Sequence, residues 1–154
     1  MPPEFRIAPA GPENIDEVMA VMVAAFDPRF GEAWTASQLA AVLGGAGAWL
    51  RIARVGEEAC GFAVTRAVGD EAELLLIAVA RDKQGRGIGR GLLQAVAADA
   101  RSRGVHRLFL EMRAGNKAEA MYRAAGFAQV GHRARYYRGR DGETYDALTF
   151  ACSI

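Results

Sequence analysis

The stretch Leu74-Leu75-Leu76-Ile77-Ala78-Val79 is apolar at every position, and the charged, glycine-rich segment Arg81-Asp82-Lys83-Gln84-Gly85-Arg86-Gly87-Ile88-Gly89-Arg90 follows it. A short, continuous apolar run is typical of a central strand that is covered on both faces of a sheet. From about residue 88 to residue 102, apolar side chains recur at helical spacing, and Gly104 ends the pattern. The sequence therefore predicts a buried strand, a glycine loop and an amphipathic helix in succession.

The segments around this unit predict the rest of the sheet. Short turns at residues 56–58 and 69–71 join strands at 49–55 and 60–68 to the central strand, which indicates an antiparallel meander. A strand at residues 108–110 should run parallel to the central strand, because a helical crossover joins the two. The other predicted elements are a strand at 5–8, helices at 15–26, 35–42 (capped by Thr35) and 118–125, and a closing hairpin of 128–137 with 145–151.

The helix predicted at residues 15–26 is amphipathic. Its apolar side chains fall at the i, i+3, i+4 spacing of one helix face. The stripe consists of Ile15, Val18, Met19, Met22, Val23 and Phe26. We expect this stripe to pack on the sheet.

The length and composition of the chain fit one globular domain. Its 154 residues lie within the range of roughly 100–200 residues for a single domain, and 51% apolar with 24% charged residues is a globular composition. We therefore predict a single domain over residues 1–154. Its fold class is α/β (α+β), with a mixed, mostly antiparallel central sheet and helices on both faces.

Charge, hydropathy and cysteine usage argue against several classes of function. Nineteen basic residues against eighteen acidic ones leave a formal charge of +1, so direct nucleic-acid binding is not expected. Residues 1–4 lack a signal-peptide pattern, and polar residues and glycines interrupt the longest uncharged window, residues 33–50, so no membrane association is expected. Cys60 and Cys152 match no metal or redox spacing. We therefore expect a cytoplasmic protein without a metal.

The glycine loop predicts a phosphate site. Glycines let the backbone approach a ligand closely, and the start of the following helix adds about half a positive charge. Four basic residues against Asp82 give the decapeptide a local charge of +3. The chain has no Lys-Ser or Lys-Thr for a Walker A motif, and its glycines fail the dinucleotide fingerprint in both registers. An ordinary mobile strand–helix loop is the alternative.

The pattern Gln84-x-x-Gly87-x-Gly89 resembles the pyrophosphate loop of the GNAT acetyltransferase superfamily. Three further segments follow the order and spacing of that superfamily: Ile77-Ala78-Val79, Leu110-Glu111-Met112-Arg113 and Tyr122-x-x-x-Gly126-Phe127. Over about residues 5–151 the chain is most similar to the bacterial ribosomal-protein alanine N-acetyltransferases. The features of that branch are Leu-Glu-x-Arg at 110–113, the pair Tyr136-Tyr137, Asp141-Gly142-Glu143 and Asp146-Ala147.

This resemblance implies a binding mode for acetyl-CoA as the cosubstrate. The central strand and the parallel strand after the crossover would splay apart. The pantetheine arm would then pair with the exposed backbone of Ile77 and Val79, beside Ala78, as a ligand adds to a strand. The resemblance places the pyrophosphate on Gln84, Gly85, Arg86, Gly87, Ile88, Gly89 and Arg90.

The resemblance also implies two catalytic residues. Glu111, at the C-terminal end of its strand, is the candidate base for the acceptor amine. The alternative is a structural carboxylate paired with Arg113 or Arg103. Tyr122 matches the tyrosine that protonates the departing thiolate, or stabilises it by a hydrogen bond. The alternative for Tyr122 is a helix tyrosine packed on the sheet.

Asn116 matches the family pattern only in part. It precedes Tyr122 by six residues, whereas the asparagine of the family precedes its tyrosine by seven. One residue turns a helix by about 100°, which is enough to direct a side chain away from its ligand. We keep Asn116 among the implied coenzyme A contacts, and its spacing to Glu119 is that of a capping box, which is the structural alternative.

The pair Tyr136-Tyr137 is the implied substrate-binding feature. Alternation along a strand puts Tyr136 with Arg138 on one face, and Tyr137 with Arg133 and Arg135 on the other. One tyrosine would then line the acceptor slot while the other packs. A solvated arginine face is the alternative.

The resemblance implies an acetyl-CoA-dependent N-acetyltransferase acting on a primary amine. The acceptor that it favours is the N-terminal α-amino group of a protein or peptide, with a ribosomal protein as one candidate. Acetylation of a small-molecule amine is an alternative, and a coenzyme A-binding module without turnover is another.

Overall fold

The computed structural model describes residues 4–154, which fold into a seven-stranded sheet flanked by helices. The strands are β1 (Arg6–Ala10), β2 (Ala48–Val55), β3 (Glu58–Val68), β4 (Glu71–Val79), β5 (Arg107–Arg113), β6 (Ala128–Arg138) and β7 (Thr144–Ser153). The helices are α1 (Ile15–Ala25), α2 (Ala36–Leu43), α3 (Ile88–Ser102) and α4 (Glu119–Ala124).

The sheet has the order β1-β2-β3-β4-β5-β7-β6. Every neighbouring pair is antiparallel except β4 and β5, which α3 connects and which run parallel. The predicted mixed, mostly antiparallel sheet with one parallel crossover is thereby confirmed.

Two apolar clusters cover the two faces of the sheet. On one face, α3 packs Ile88, Leu92 and Val96 against strand residues. On the other, α1 and α2 contribute Val18 and Leu39 to a separate cluster. Burial of each such side chain stabilises the fold by about 1.5–3 kcal/mol, so the two clusters fix the position of the central strands between them.

The predicted apolar stripe of α1 is wrong at Val23. The side chain of Val23 is 79% exposed, whereas Val21, which the stripe omits, is 3% exposed. Val23 lies about 140° around the helix from Val18, because successive residues turn by about 100°. The face that meets the sheet is therefore centred on Val18 and Met22, and it includes Val21.

The apolar run of β4 is covered on both faces, and a β-bulge interrupts the strand within the run. The register with β3 shifts where Thr65 pairs with Leu74 and Val64 pairs with Leu76, which leaves Leu75 as the extra residue. Leu74 packs in the cluster of α3, whereas both Leu75 and Leu76 pack in the cluster of α1 and α2. A bulge bends its strand and increases the local twist. It thus redirects β4 just before its C-terminal half.

Asp99 ties α3 to strand β2. Its carboxylate accepts hydrogen bonds from Arg51 Nε (2.7 Å) and Nη2 (2.6 Å) and from Trp49 Nε1 (3.1 Å). The hydrogen bonds of the Arg51 guanidinium are the main reason that the pKa of Asp99 is lower than its ordinary value of 3.8.

We expect Asp99→Asn to lower the free energy of unfolding by about 1–3 kcal/mol at neutral pH, because Arg51 and Trp49 lose a charged acceptor. The pKa of Asp99 is lower in the folded state than in the unfolded state. Its contribution is therefore complete well above about pH 4 and declines as the pH falls through the folded-state pKa. Urea unfolding of both proteins at pH 7 and near pH 3 measures the difference, which should shrink at the lower pH. A difference that stays constant contradicts the assignment.

Within residues 4–154, no helix combines the length and the apolar character needed to cross a membrane.

Candidate active site

The ladder between β4 and β5 ends halfway along β4. Its four pairs run from Glu71 opposite Arg107 to Leu74 opposite Leu110. Beyond that point β4 stays paired with β3 as far as Val79, and β5 stays paired with β7 as far as Arg113. The two parallel strands therefore separate, and one edge of β4 faces a gap.

The backbone groups of Ile77 and Val79 face this gap. The N–H group of Ala80 donates to the carbonyl oxygen of Cys60 on β3 (2.8 Å). Because backbone polar groups alternate in direction along a strand, those of Ile77 and Val79 point away from β3. The side-chain amide of Gln84 donates to the carbonyl oxygen of Val79 (3.0 Å), which anchors the glycine loop to the end of the strand.

The loop between β4 and α3 presents free backbone N–H groups. Gly85 and Gly87 have φ angles of 81° and 84°, a left-handed conformation that side chains disfavour. Gly87 precedes α3 without a side-chain cap, and the N–H group of Gly91 is the first to bond back, to the carbonyl oxygen of Gly87. The preceding N–H groups of the first turn therefore lack an acceptor within the helix, which is the arrangement that binds anions.

A cleft of about 750 Å³ runs from the gap along this loop. It lies within the roughly 300–1,000 Å³ range of small-molecule sites. Its lining is strongly basic, since two acidic side chains, Asp27 and Glu32, face six basic ones: Arg29, Arg81, Lys83, Arg90, Arg113 and Lys117. The larger cleft therefore suits an anionic ligand with an extended arm.

A second, smaller cleft of about 190 Å³ opens on the other side of the gap. Three glutamates line it, Glu32, Glu73 and Glu111, and none of its lining residues in the described part of the chain is basic. Five aromatic residues also line it: Phe26, Trp34, Tyr122, Tyr136 and Tyr137. Burial, followed by the charge of Glu111, raises the pKa of Glu73. The smaller cleft suits a small cationic group.

Tyr122 lies where the two clefts meet. It lines both of them, its side chain is 5% exposed, and its ring packs edge-on against Phe127 (6.0 Å between centroids). Its hydroxyl has no hydrogen-bond partner among residues 4–154. Burial above all, and then the negative charge of Glu32, raises the pKa of Tyr122 above its ordinary value of 10.0. Tyr122 is therefore a neutral donor directed into the junction.

Glu111 reaches the smaller cleft from β5. Its Oε1 atom lies 3.1 Å from Arg133 Nε and accepts a long hydrogen bond from the hydroxyl of Thr149 (3.5 Å). The ion-pair partner of Glu111 is thus neither Arg113 nor Arg103, the two arginines expected if Glu111 were a structural carboxylate. The side chain of Arg133 is 60% exposed, so solvent screens this ion pair on the arginine side.

The sequence model of the Acetyltransferase (GNAT) family matches residues 15–127 of the chain. The chain belongs to this family.

Named relatives and a solved structure extend the comparison. The [ribosomal protein bS18]-alanine N-acetyltransferase of Escherichia coli (strain K12) is 40% identical over 94 residues, which are 60% of this chain and 63% of that protein. The N-alpha-acetyltransferase RimI of Mycobacterium tuberculosis is 42% identical over 76 residues, 49% of this chain and 46% of that protein. Both matches thus cover less than two thirds of the relative. The crystal structure of the ribosomal-protein-S18-alanine N-acetyltransferase from Escherichia coli has a TM-score of 0.86 at 31% sequence identity, over 97% of this chain and 94% of that chain.

Most residues that the GNAT resemblance implies as coenzyme A contacts line the larger cleft, and Arg86 is the exception. The cleft is lined by Ile77, Ala78, Val79, Gln84, Gly85, Gly87, Ile88, Gly89, Arg90 and Asn116. Arg86 instead lies 3.6 Å from the carboxylate of Glu4 (Nη1 to Oε2). Arg86 stands between two glycines in the left-handed conformation, Gly85 and Gly87. The role of Arg86 as a coenzyme A contact therefore stays a prediction from the resemblance, without support from the lining of the cleft.

Asn116 lies in the loop before α4 and also reaches into the site. Its Oδ1 accepts the N–H of Ala118 (2.8 Å), and its Nδ2 donates to Glu32 Oε2 (3.3 Å). The capping box with Glu119 does not form, because the Glu119 carboxylate bonds to Arg123 (2.8 Å) instead. The amide of Asn116 is thus engaged within the protein, although the residue lines both clefts.

Both tyrosines of the Tyr136-Tyr137 pair line the smaller cleft, with ring centroids 5.0 Å apart. The predicted alternation is wrong here. Between the pairs Arg133–Ala147 and Tyr137–Tyr145, β6 has four residue steps against two on β7, and Arg135 has a left-handed φ of 54°. This bulge brings Arg133 over the ring of Tyr136 (5.3 Å) and turns both rings toward the cleft.

Glu32 is the site residue that sequence reasoning missed. Its side chain is 10% exposed and lines both clefts, and its Oε1 atom lies 3.2 Å from Arg113 Nε. The segment that carries it packs on the β6–β7 turn, where an added Cβ at Gly31 would clash with the carbonyl oxygen of Arg138. Glu32 lies in an irregular loop, so no spacing of residues in the sequence marks it as a site residue. Its contact with Arg113, 81 positions away, does so in the folded structure.

We expect Arg90→Ala to weaken coenzyme A binding about tenfold or more, because a charge-assisted hydrogen bond contributes about 1.5–3 kcal/mol. Arg86→Ala is the matched control and should change the dissociation constant by less than about twofold, since its side chain lies outside the cleft. Calorimetry at physiological salt separates local contacts from long-range attraction, because the Debye length there is about 8 Å. Equal losses in the two variants contradict this assignment.

Proposed function

We propose that this GNAT protein is an acetyl-CoA-dependent N-acetyltransferase that acetylates the N-terminal α-amino group of a protein. The observation that carries the proposal is the meeting of a basic cleft and an acidic cleft at the unpartnered hydroxyl of Tyr122. An anionic thioester carrier fits the first cleft, and an ammonium group fits the second.

The residues of the larger cleft fit coenzyme A. The backbone groups of Ile77 and the N–H group of Val79, which face the gap, match the amides of a pantetheine arm, as in the addition of a peptide to a sheet edge. The first turn of α3 and the basic lining, including Arg90, suit the pyrophosphate. Acetyl-CoA supplies the acetyl group as a thioester, and Gln84 holds the loop against the end of β4.

Glu111 acts as the base in this proposal. It accepts a proton from the acceptor ammonium, directly or through water, so that the neutral amine can attack the thioester carbonyl. At pH 7.5, loss of a proton costs well under 1 kcal/mol for an α-amino group and about 4 kcal/mol for lysine. A single partly exposed carboxylate is therefore sufficient for an N-terminal acceptor.

Tyr122 donates a hydrogen bond to the departing sulfur. A thiol has a pKa of about 8.5, so complete proton transfer from a phenol with a pKa above 10 is uphill by more than about 2 kcal/mol. Tyr122 therefore stabilises the negative charge that develops on the sulfur, in the manner of an oxyanion-hole donor.

The size of the smaller cleft favours a peptide N-terminus over a whole small molecule. Its volume of about 190 Å³ is less than the roughly 300 Å³ at which sites for drug-sized ligands begin. The first residue of a peptide fits, with the rest of the chain leaving past the half-exposed ring of Tyr136. Similar proteins are named for alanine of ribosomal protein bS18, so a ribosomal protein with an N-terminal alanine is the proposed partner, and the cytoplasm is the proposed location.

A panel of acceptors tests the function. We expect release of coenzyme A thiol with peptides that begin with alanine, including the N-terminal peptide of bS18, and little release with polyamines or aminoglycosides. Transfer to a small amine with all peptides inert supports the small-molecule alternative. Bound acetyl-CoA that no amine consumes supports a binding module instead.

We expect Tyr122→Phe to lower the turnover number by roughly 10²–10⁴-fold, because it removes the donor that faces the leaving sulfur. Tyr145→Phe is a matched control, since its hydroxyl bonds to Asp141 outside both clefts. Steady-state assays of thiol release measure both variants. Unchanged turnover in Tyr122→Phe excludes Tyr122 from the reaction.

A further inference from the structure

Charge is divided sharply at the gap between β4 and β5. The cleft on one side carries six basic side chains, and the lining of the other has three carboxylates. Two of these carboxylates, Glu73 and Glu111, belong to the neighbouring strands β4 and β5. The third, Glu32, comes from the loop between α1 and α2, and it alone of the three also lines the larger cleft.

Glu32 has acceptor capacity left over after its contacts within the protein. Arg113 Nε lies 3.2 Å from Oε1, and Asn116 Nδ2 lies 3.3 Å from Oε2. Both hydrogen bonds are long, and a carboxylate offers about four acceptor positions. Because only 10% of its side chain is exposed, a further hydrogen-bond donor would stabilise the buried carboxylate.

Glu32 lines both clefts beside Tyr122, and it lies close enough to two phenols for its negative charge to raise their pKa values. Glu32 is the largest contributor after burial to the raised pKa of Tyr122 and also to that of Tyr137. The charge of Glu111 makes a smaller contribution to the raised pKa of Tyr137. Tyr122 as a whole is 5% exposed, and its hydroxyl makes no hydrogen bond within residues 4–154, so a phenol free to donate borders the same space.

We propose that Glu32 is the residue that binds the acceptor as a charged primary ammonium, opposite Glu111, and thereby selects amines over neutral nucleophiles of the same shape. This inference rests on the proposed function. An ammonium group has three donors. Glu32 accepts one N–H group of the ammonium, and Glu111 accepts another and takes that proton as the amine nitrogen attacks the thioester carbonyl.

A structural latch is the competing role for Glu32. Its bonds to Arg113 and Asn116 join the α1–α2 loop to the end of β5 and the loop before α4. Loss of a latch would disturb both clefts, because Arg113 and Asn116 line the larger one. Loss of an ammonium site would affect only charged acceptors. The two roles therefore differ in their dependence on acceptor charge.

The test compares Glu32→Gln with the wild-type protein on two matched probes. One is an alanine-initiated hexapeptide, and the other is the same peptide with an α-hydroxyl in place of its α-amino group. At pH 7 the amine is mostly charged. We expect the wild-type protein to bind the amine peptide at least tenfold more tightly by calorimetry, and Glu32→Gln to lose that preference. Its affinity for coenzyme A should change by less than about twofold.

Two further variants make the result decisive. Glu119→Gln removes a surface carboxylate whose one side-chain partner within residues 4–154 is Arg123, and it should keep the preference. Glu32→Asp keeps the charge and should keep most of the preference, which also covers the case in which Glu32→Gln folds poorly. In turnover assays, Glu32→Gln should raise the KM of the amine about tenfold with the KM of acetyl-CoA unchanged.

Equal losses for the two peptides, or a parallel loss of coenzyme A affinity, overturn the ammonium site in favour of the latch. If Glu32→Gln still binds the amine peptide more tightly than the hydroxyl peptide, the ammonium site at Glu32 is overturned. The proposed function then still stands, provided that the wild-type protein transfers acetyl groups to an amine. Failure of the wild-type protein to acetylate any amine removes the proposed function and this inference with it.

Discussion

The hydrogen-bonded ladder between β4 and β5 stops at Leu74 opposite Leu110, and the candidate site depends on that stop. The bulge at Leu75 bends β4 while its other edge remains bonded to β3, so the strand diverges from β5 without losing its place in the sheet. The two apolar clusters hold this bent strand from both faces. Backbone groups that cannot find a partner in the sheet are then available to a ligand.

The same separation divides charge. The larger cleft receives the N-terminal turn of α3 and a group of basic side chains, whereas the smaller cleft receives glutamates from β4, β5 and the α1–α2 loop. A neutral, buried tyrosine joins the two. Two reactants of opposite charge can therefore approach Tyr122 from opposite sides, each attracted by the charge of its own cleft.

The parts of this arrangement that local sequence determines could be predicted. The apolar run of β4 predicts a central strand, and the glycines before α3 predict a loop. The apolar spacing within α3 predicts a helix, so the succession of strand, loop and helix at the site could be predicted. The ion pair of Arg86 with Glu4 could not be predicted, because the two residues lie far apart in the sequence.

Local sequence patterns could not predict the contacts between segments that are distant in the chain. The faces of Tyr136 and Tyr137 follow from a bulge in β6 that period-two alternation does not contain. Glu32 lies in a loop without periodicity, and its role emerges only where that loop packs on the β6–β7 turn and meets Arg113. Strands and helices were thus predictable from the sequence, whereas the acceptor side of the site required the assembled fold.

The central claim is that the open edge of β4 is the binding surface for the arm of the thioester carrier. Amide hydrogen exchange, followed residue by residue with NMR in the presence and absence of coenzyme A, measures this directly. Coenzyme A should slow exchange at the N–H groups of Ile77 and Val79, which face the gap, and in the first turn of α3. Binding of coenzyme A without slower exchange at Ile77 and Val79 would contradict the central claim.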